Sequence, residues 1–202
     1  HVVEVDLPQV VVADTQLALA RIANGLQRDR SGTVVAITGS NGKTSVKTLV
    51  HSILQLAGNT YLNPGNRNNE IGLPLAVIDA PDDADFAIYE MGAGKPGDIA
   101  YLTDIVTPQV ALVNNVAPAH LERMGSLMGI AETKGAIYTA LPADGVAVIN
   151  ADDAFGAYFA ERASGNRLLR FGLEASADVT ARDVRTSAEG SQFTLLTPQG
   201  EV

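Results

Sequence analysis

The chain has 202 residues, 46% of them hydrophobic, no cysteine and a formal net charge of −9 at pH 7. That length allows one or two domains and a core that needs no disulfide or metal staple, and the missing cysteines exclude a thiol nucleophile. The acidic balance argues against a nucleic-acid surface but not against a nucleotide, which a few backbone amides and one lysine can hold.

No apolar run approaches the roughly 18 residues of a membrane span. The N-terminus lacks the basic start of a signal peptide, so a soluble, cytoplasmic protein is expected; a monomer is expected as well, though no sequence feature determines it.

Residues 1–30 hold a short β-rich piece, Val2–Val12, and a helix, Asp14–Leu26, capped by Asp14 or Thr15. From Thr33 onward short β-branched runs alternate with helical stretches. Thr33–Thr38 reads as a buried strand and Thr44–Leu56 as a helix, with Val46, Leu49, Val50, Ile53 and Leu56 at helical spacing and Gly58 as its stop. Strands follow at Asp85–Met91, Gln109–Asn115, Val146–Ile149 and Arg167–Phe171, and helices at Gly97–Ile105, Ser126–Leu141 and Asp153–Ala163.

This alternation predicts an α/β fold, a mostly parallel sheet with helices on both faces. Beyond Asp178 the pattern changes to a hairpin-like alternation, which predicts a small β-rich piece at the C-terminal end. Ligands of such sheets bind at the carboxyl ends of the strands, where Gly39–Lys43, Glu90 and Asn114–His120 converge.

The sharpest signal is Thr38-Gly39-Ser40-Asn41-Gly42-Lys43-Thr44-Ser45, a glycine-bearing turn between a strand and a helix. Glycines let the backbone approach phosphates, and the free N–H groups of a helix start point into such a loop. Lys43 would neutralise β/γ-phosphate charge and the Thr44 hydroxyl would reach Mg²⁺. Only Ser40-Asn41 separate Gly39 from Gly42, so the loop is two residues shorter than the standard phosphate loop.

Glu90 closes an apolar strand, where a buried carboxylate needs a partner or a metal; the competing reading is a solvated cap. A lone histidine such as His120 is more often structural, and a helix lysine such as Lys134 is normally solvated. Arg123 and Glu122 have no assigned role. The acidic run Asp79, Asp82, Asp83 and Asp85 reads as a solvated turn, and Tyr89, Tyr138 and Tyr158 read as packing residues.

The shortened loop after Val-Val-Ala-Ile resembles the ATP loop of the Mur ligases, which build the peptide stem of peptidoglycan and to which folylpolyglutamate synthase is related. Four more stretches carry the resemblance: Asn63 to Gly72, Tyr89-Glu90-Met91-Gly92, Val113 to Glu122, and Glu132 to Tyr138. Asn-Asn-Glu-Ile-Gly and Ala-His-Leu-Glu look most like the branch that joins D-alanyl-D-alanine to UDP-N-acetylmuramoyl-tripeptide.

The resemblance implies an ATP-dependent acid–amino-acid ligase of cell-wall biogenesis, serving cell shape and division. It implies that residues 1–30 are the tail of an N-terminal substrate-binding domain and 31–202 the central ATP-binding domain. The C-terminal ligase domain is absent from this chain, so the isolated chain is expected to be inactive.

It further implies that Lys43 holds the β/γ-phosphates and that Thr44 and Glu90 bind one Mg²⁺. His120 would bind a second, supported by a carbamylated Lys134, and Asn66 and Asn69 would lie near the phosphates and the reacting carboxylate. Two other classes stay open, another Mur-type or folylpolyglutamate-type ligase and a nucleotide-binding module without turnover. A GTPase is disfavoured because no Asn-Lys-x-Asp base-reading motif occurs.

Overall fold

The computed structural model describes Glu4 and residues 6–119 and 121–202. Helix α1 (Thr15–Asp29) comes first, and Asp14 caps it by accepting from the Leu17 amide at 2.9 Å. Strand β1 (Thr33–Thr38), helix α2 (Lys43–Leu54), β2 (Thr60–Leu62), α3 (Gly72–Asp79) and β3 (Phe86–Glu90) follow. Then come α4 (Asp98–Val106), β4 (Val110–Val113), the short α5 (Leu121–Met124), α6 (Leu127–Thr139), β5 (Val146–Asn150), α7 (Gly156–Arg162) and β6 (Arg167–Phe171).

These six strands form one sheet in the order β2-β3-β1-β4-β5-β6, with every pair parallel. The continuous apolar runs of β1, β3 and β4 suit strands covered by protein on both faces. After β1 the chain builds outward to β2 and β3 on one side, then crosses to β4 on the other. The strand order therefore reverses at β1 and β4, and a crevice opens beyond their carboxyl ends.

Helices cover the two faces unequally. One core unites Ala20 and Ala23 of α1, Leu73 and Val77 of α3, Ile99 and Leu102 of α4, Ile137 and Tyr138 of α6, and Phe159 of α7. The opposite face, with Val35, Ile37, Ile88 and Leu112, is packed by Val46, Val50 and Leu54 of α2. The Tyr138 hydroxyl accepts from the Val113 amide and donates to the Val148 carbonyl, so α6 pins β4 and β5 from below.

A separate antiparallel sheet, β7 (Thr180–Ser187), β8 (Gly190–Thr197) and β9 (Gly200–Glu201), completes the C-terminal end. Its first strand bulges between Arg182 and Arg185, where Asp183 takes φ 56°.

One expectation needs correction and one helix is added. The β-rich piece at Val2–Val12 does not appear in its described part: residues 6–13 hold no strand. Leu7, Val10 and Val11 are exposed there, so the β-favouring composition buries no apolar face. The sequence pattern marks no helix at 72–79: Leu73, Pro74, Ala76 and Val77 are buried, but the exposed face carries the apolar Leu75, so the amphipathic period is lost. The acidic run lies at the helix-to-strand turn between α3 and β3 with all four residues exposed, as expected; Asp79 pairs with Arg67, Asp82 with Arg30, Asp83 accepts from Asn59 Nδ2, and Asp85 accepts from the Asn59 amide.

Candidate active site

The phosphate loop leaves the end of β1. Thr38 is fully buried and its hydroxyl donates to the Met91 carbonyl, so its side chain ties β1 to the end of β3. The Ser40 hydroxyl bridges the Ala117 carbonyl and amide. The Ser40 amide donates to the Asn115 carbonyl at 3.0 Å and the Asn41 amide to Asn115 Oδ1 at 2.9 Å. Asn114 Nδ2 and Asn115 Nδ2 both donate to the Asn41 carbonyl.

The segment after β4 thus clamps the first half of the loop. The unpaired amides at the start of α2, from Lys43 to Ser45, are left to meet a ligand. Gly42 caps α2 at φ 74°, and a Cβ there would stand 2.9 Å from Asn114 Nδ2. Glycine serves both the backbone conformation and the close approach of Asn114.

Lys43 reaches back to the Gly39 carbonyl at 3.0 Å and makes no ion pair among the described residues. Its ammonium lines a cleft of about 410 Å³ that continues past Asn68, Asn69 and Glu70 on one side and Gly92 to Lys95, Tyr101 and Arg123 on the other. The Asp98 carboxylate shapes that second wall by accepting from the Gly94 and Lys95 amides.

Below the loop lies a compact charged cluster. Glu90, 3% exposed at the end of β3, accepts from the Thr44 hydroxyl at 2.9 Å and from Asn68 Nδ2 at 2.8 Å. Lys47, 2% exposed one turn along α2 from Lys43, lies 3.3 Å from Glu90 Oε2. Burial raises the Glu90 pKa, but the bonds from Asn68 and Thr44 and the Lys47 charge outweigh it and hold the carboxyl below its ordinary range. The Asn63 side chain fixes the backbone around it, accepting from the Glu90 amide and donating to the Glu90 and Arg67 carbonyls.

Lys134 of α6 is 4% exposed and makes no hydrogen bond or ion pair among the described residues. Burial, with the Lys43 charge nearby, lowers its pKa to about 8. A buried, partnerless amine in this range is a reactive neutral nucleophile for part of the time. His120 lies outside the described residues.

Of the two expected asparagines, Asn69 accepts from the Ile71 and Gly72 amides and so starts α3, while Asn66 is exposed. Asn68 is the one that meets Glu90. Glu122 and Arg123 are exposed, and Arg123 lines the cleft. Tyr89 and Tyr138 are buried packing residues, and the Arg162 guanidinium lies over the Tyr158 ring.

Sequence reasoning missed Lys47, Asn63 and Asn68. A helical lysine is normally solvated, and only the fold reveals that position 47 faces β3. The two asparagines lie inside a motif already singled out, but nothing in their spacing tells which one reaches Glu90.

The donor set suits a hard divalent cation. A hydroxyl and a carboxylate oxygen stand 2.9 Å apart beside free helix-start amides. No group of three or more His, Cys, Asp or Glu side chains gathers among the described residues. That is the chemistry of Mg²⁺ sites, which take one or two protein oxygens and complete the shell with phosphates and water.

The Mur ligase middle domain, as a family, matches residues 37–202. UDP-N-acetylmuramoyl-tripeptide–D-alanyl-D-alanine ligase of Escherichia coli K12 is 41% identical over 200 residues, 98% of this chain and 44% of the relative. The crystal structure of MurF from Acinetobacter baumannii superposes on all of this chain with a TM-score of 0.95 at 34% identity, covering 44% of its own length. MurF ligase from Thermotoga maritima, solved in complex with ADP, gives a TM-score of 0.88 at 31% identity. The chain spans less than half the length of these relatives, and it belongs to the Mur ligase family, of which it carries the middle domain.

Proposed function

We propose that this chain is the ATP-binding part of a ligase that joins D-alanyl-D-alanine to UDP-N-acetylmuramoyl-tripeptide, with residues 31–202 as the central domain and 1–30 leading in from a substrate-binding domain. The observation that carries the reading is the Thr44–Glu90 contact at the mouth of a loop whose lysine is held by no carboxylate. The Escherichia coli relative is named for this reaction, and the Thermotoga maritima neighbour was solved with ADP.

The chemistry asked of the site is phosphoryl transfer to a substrate carboxylate. The dipeptide amine then attacks the acyl phosphate, releasing phosphate and forming the amide. No protein nucleophile is needed, so the work is positioning and charge neutralisation. Lys43 leaves the Gly39 carbonyl for the transferred phosphoryl group, and the amides from Lys43 to Ser45 bind phosphate oxygens. Gly39 and Gly42 keep the loop free of side chains, while Thr38, Ser40 and Asn41 hold its shape. Asn69 positions the wall beside Asn68, and the exposed Asn66 is proposed to approach the phosphates from solvent.

Mg²⁺ bound by Thr44 and Glu90 would screen the phosphate charge, with a second ion at His120. Lys134, mostly protonated at neutral pH with a minor neutral fraction, adds through that neutral amine to CO₂ with loss of a proton and becomes a carbamate, turning a buried cation into an anion for that second ion. A labelled-bicarbonate carbamate signal that is lost in Lys134→Met checks this.

Calorimetric titration with Mg-ATP tests the whole reading. Micromolar binding is expected, weakened roughly ten- to a hundredfold in Lys43→Ala and absent for Mg-GTP, since one bond to a charged group contributes about 1.5–3 kcal/mol. Equal binding by wild type and Lys43→Ala would sink it.

A further inference from the structure

Lys47 has no part in the mechanism above, yet it is the most completely bonded cation near the site. Its ammonium has three protons and meets three oxygens: the Asn63 carbonyl at 2.9 Å, the Gly65 carbonyl at 3.2 Å and Glu90 Oε2 at 3.3 Å. Two carbonyls and a carboxylate around a desolvated positive charge make an arrangement that a small metal ion could otherwise occupy. Glu90 Oε2 is the same oxygen that the Thr44 hydroxyl touches.

The consequence is electrostatic. Lys47 and Glu90 are both nearly fully buried, and together they sum to zero charge. A divalent cation approaching Thr44 and Glu90 therefore meets a carboxylate already neutralised from behind. A buried Glu90 without Lys47 would be an uncompensated charge, which is strongly destabilising.

We propose that Lys47 is a resident counter-ion. It holds Glu90 and the 63–65 turn in place before nucleotide arrives, and it leaves the site too weakly anionic to retain free Mg²⁺, so the cation enters only together with the triphosphate. Lys47 is thus a positioning residue acting through Glu90. The inference rests on the reading of Thr44 and Glu90 as cation-facing groups.

The test is thermal unfolding without nucleotide, with MgCl₂ titrated against NaCl at matched ionic strength. It compares wild type, Lys47→Met and the double variant Lys47→Met/Glu90→Gln, and Mg-ATP titration of the wild type runs in parallel. The wild type should melt at the same temperature with and without free Mg²⁺. Lys47→Met should melt lower, and Mg²⁺ but not NaCl should restore it, with a gain in free-Mg²⁺ affinity of roughly ten- to a hundredfold. The double variant should regain stability and lose the Mg²⁺ response.

If Lys47→Met does not fold alone, its recovery by Mg²⁺ and not by NaCl gives the same answer. A wild type that binds Mg-ATP, beside a Lys47→Met with no Mg²⁺ response, overturns the inference alone. A wild type that binds no Mg-ATP overturns the reading of the site and the inference with it.

Discussion

Lys43, Lys47 and Lys134 are three lysines on helices, and the fold gives each a different environment. Lys43 is half-buried at the loop and keeps its charge available to the cleft. Lys47 is enclosed and paired. Lys134 is enclosed and unpaired among the described residues, which is why burial pulls its pKa from 10.5 to about 8.

That shift has a signed consequence for stability. Below pH 8 the folded chain holds Lys134 charged in a poor environment, a penalty of about 3 kcal/mol for the displacement from 10.5 to about 8. Between these two values the unfolded chain binds more protons than the folded one, so the penalty fades as pH rises and is gone above 10.5. Lys134→Met should therefore be more stable than wild type at pH 7, by up to about 3 kcal/mol, and the advantage should shrink by pH 10. Urea unfolding at both pH values, in buffers purged of CO₂, checks the prediction; a pH-independent difference would contradict it.

Single letters in the sequence pointed to Lys43, Thr44 and Glu90 because each ends or begins an element. They could not distinguish Lys47 from a solvated lysine. The difference is which face of α2 meets β3, and that depends on packing between segments more than forty residues apart.

At the scale of elements, the phosphate loop is a joint product of two of them. β1 and α2 provide its ends, but the segment after β4 fixes its first half through Asn114 and Asn115. Asn114 in turn is held from the neighbouring strand, since Asn150 Nδ2 donates to its carbonyl at 2.8 Å. Asp153 anchors the Val116 amide in the same way. The shortened loop is braced by two side chains, Asn114 and Asn115, that lie just past β4.

Gly42→Ala tests this arrangement. A left-handed alanine costs about 1–2 kcal/mol, and its Cβ would press on Asn114 Nδ2 at 2.9 Å. Mg-ATP binding should fall at least about tenfold while the core remains folded, as read by titration and by near-ultraviolet circular dichroism. Retention of full affinity would mean that Asn114 does not brace the loop.

The strands and long helices were legible because β-branched runs and helical periodicity are local properties. Strand β2 has only three residues and α3 is apolar even at its exposed Leu75, so neither leaves a periodic trace. The apparent strand at the N-terminus failed for the opposite reason: its composition favours β structure, but residues 6–13 form no strand and leave Leu7, Val10 and Val11 exposed.

On the scale of the whole molecule, the two faces of the sheet differ. Five helices share one core, and α2 alone covers the other face while carrying Lys43, Thr44 and Lys47. Ligand bound at the start of α2 therefore adds contacts to the less covered side. Mg-ATP at a hundredfold excess over its dissociation constant should stabilise the chain by about 2.7 kcal/mol through mass action. At the same ligand concentration Lys43→Ala should keep only about 0.4–1.4 kcal/mol of that stabilisation, and differential scanning calorimetry reads both.

By itself the sequence determined the α/β class, the strand that precedes the phosphate loop and the helix that follows it, and the family resemblance carried by motifs at strand ends. These follow from local patterning and from residue types that phosphate chemistry requires. Only the tertiary structure decided that Asn68 rather than Asn66 or Asn69 meets Glu90, that Asn114 and Asn115 clamp the loop, and that Lys47 neutralises Glu90 from within. Each of those contacts joins segments brought together by the parallel strand order, and burial, which turns a common lysine into a counter-ion, exists only once the sheet and its helices are assembled.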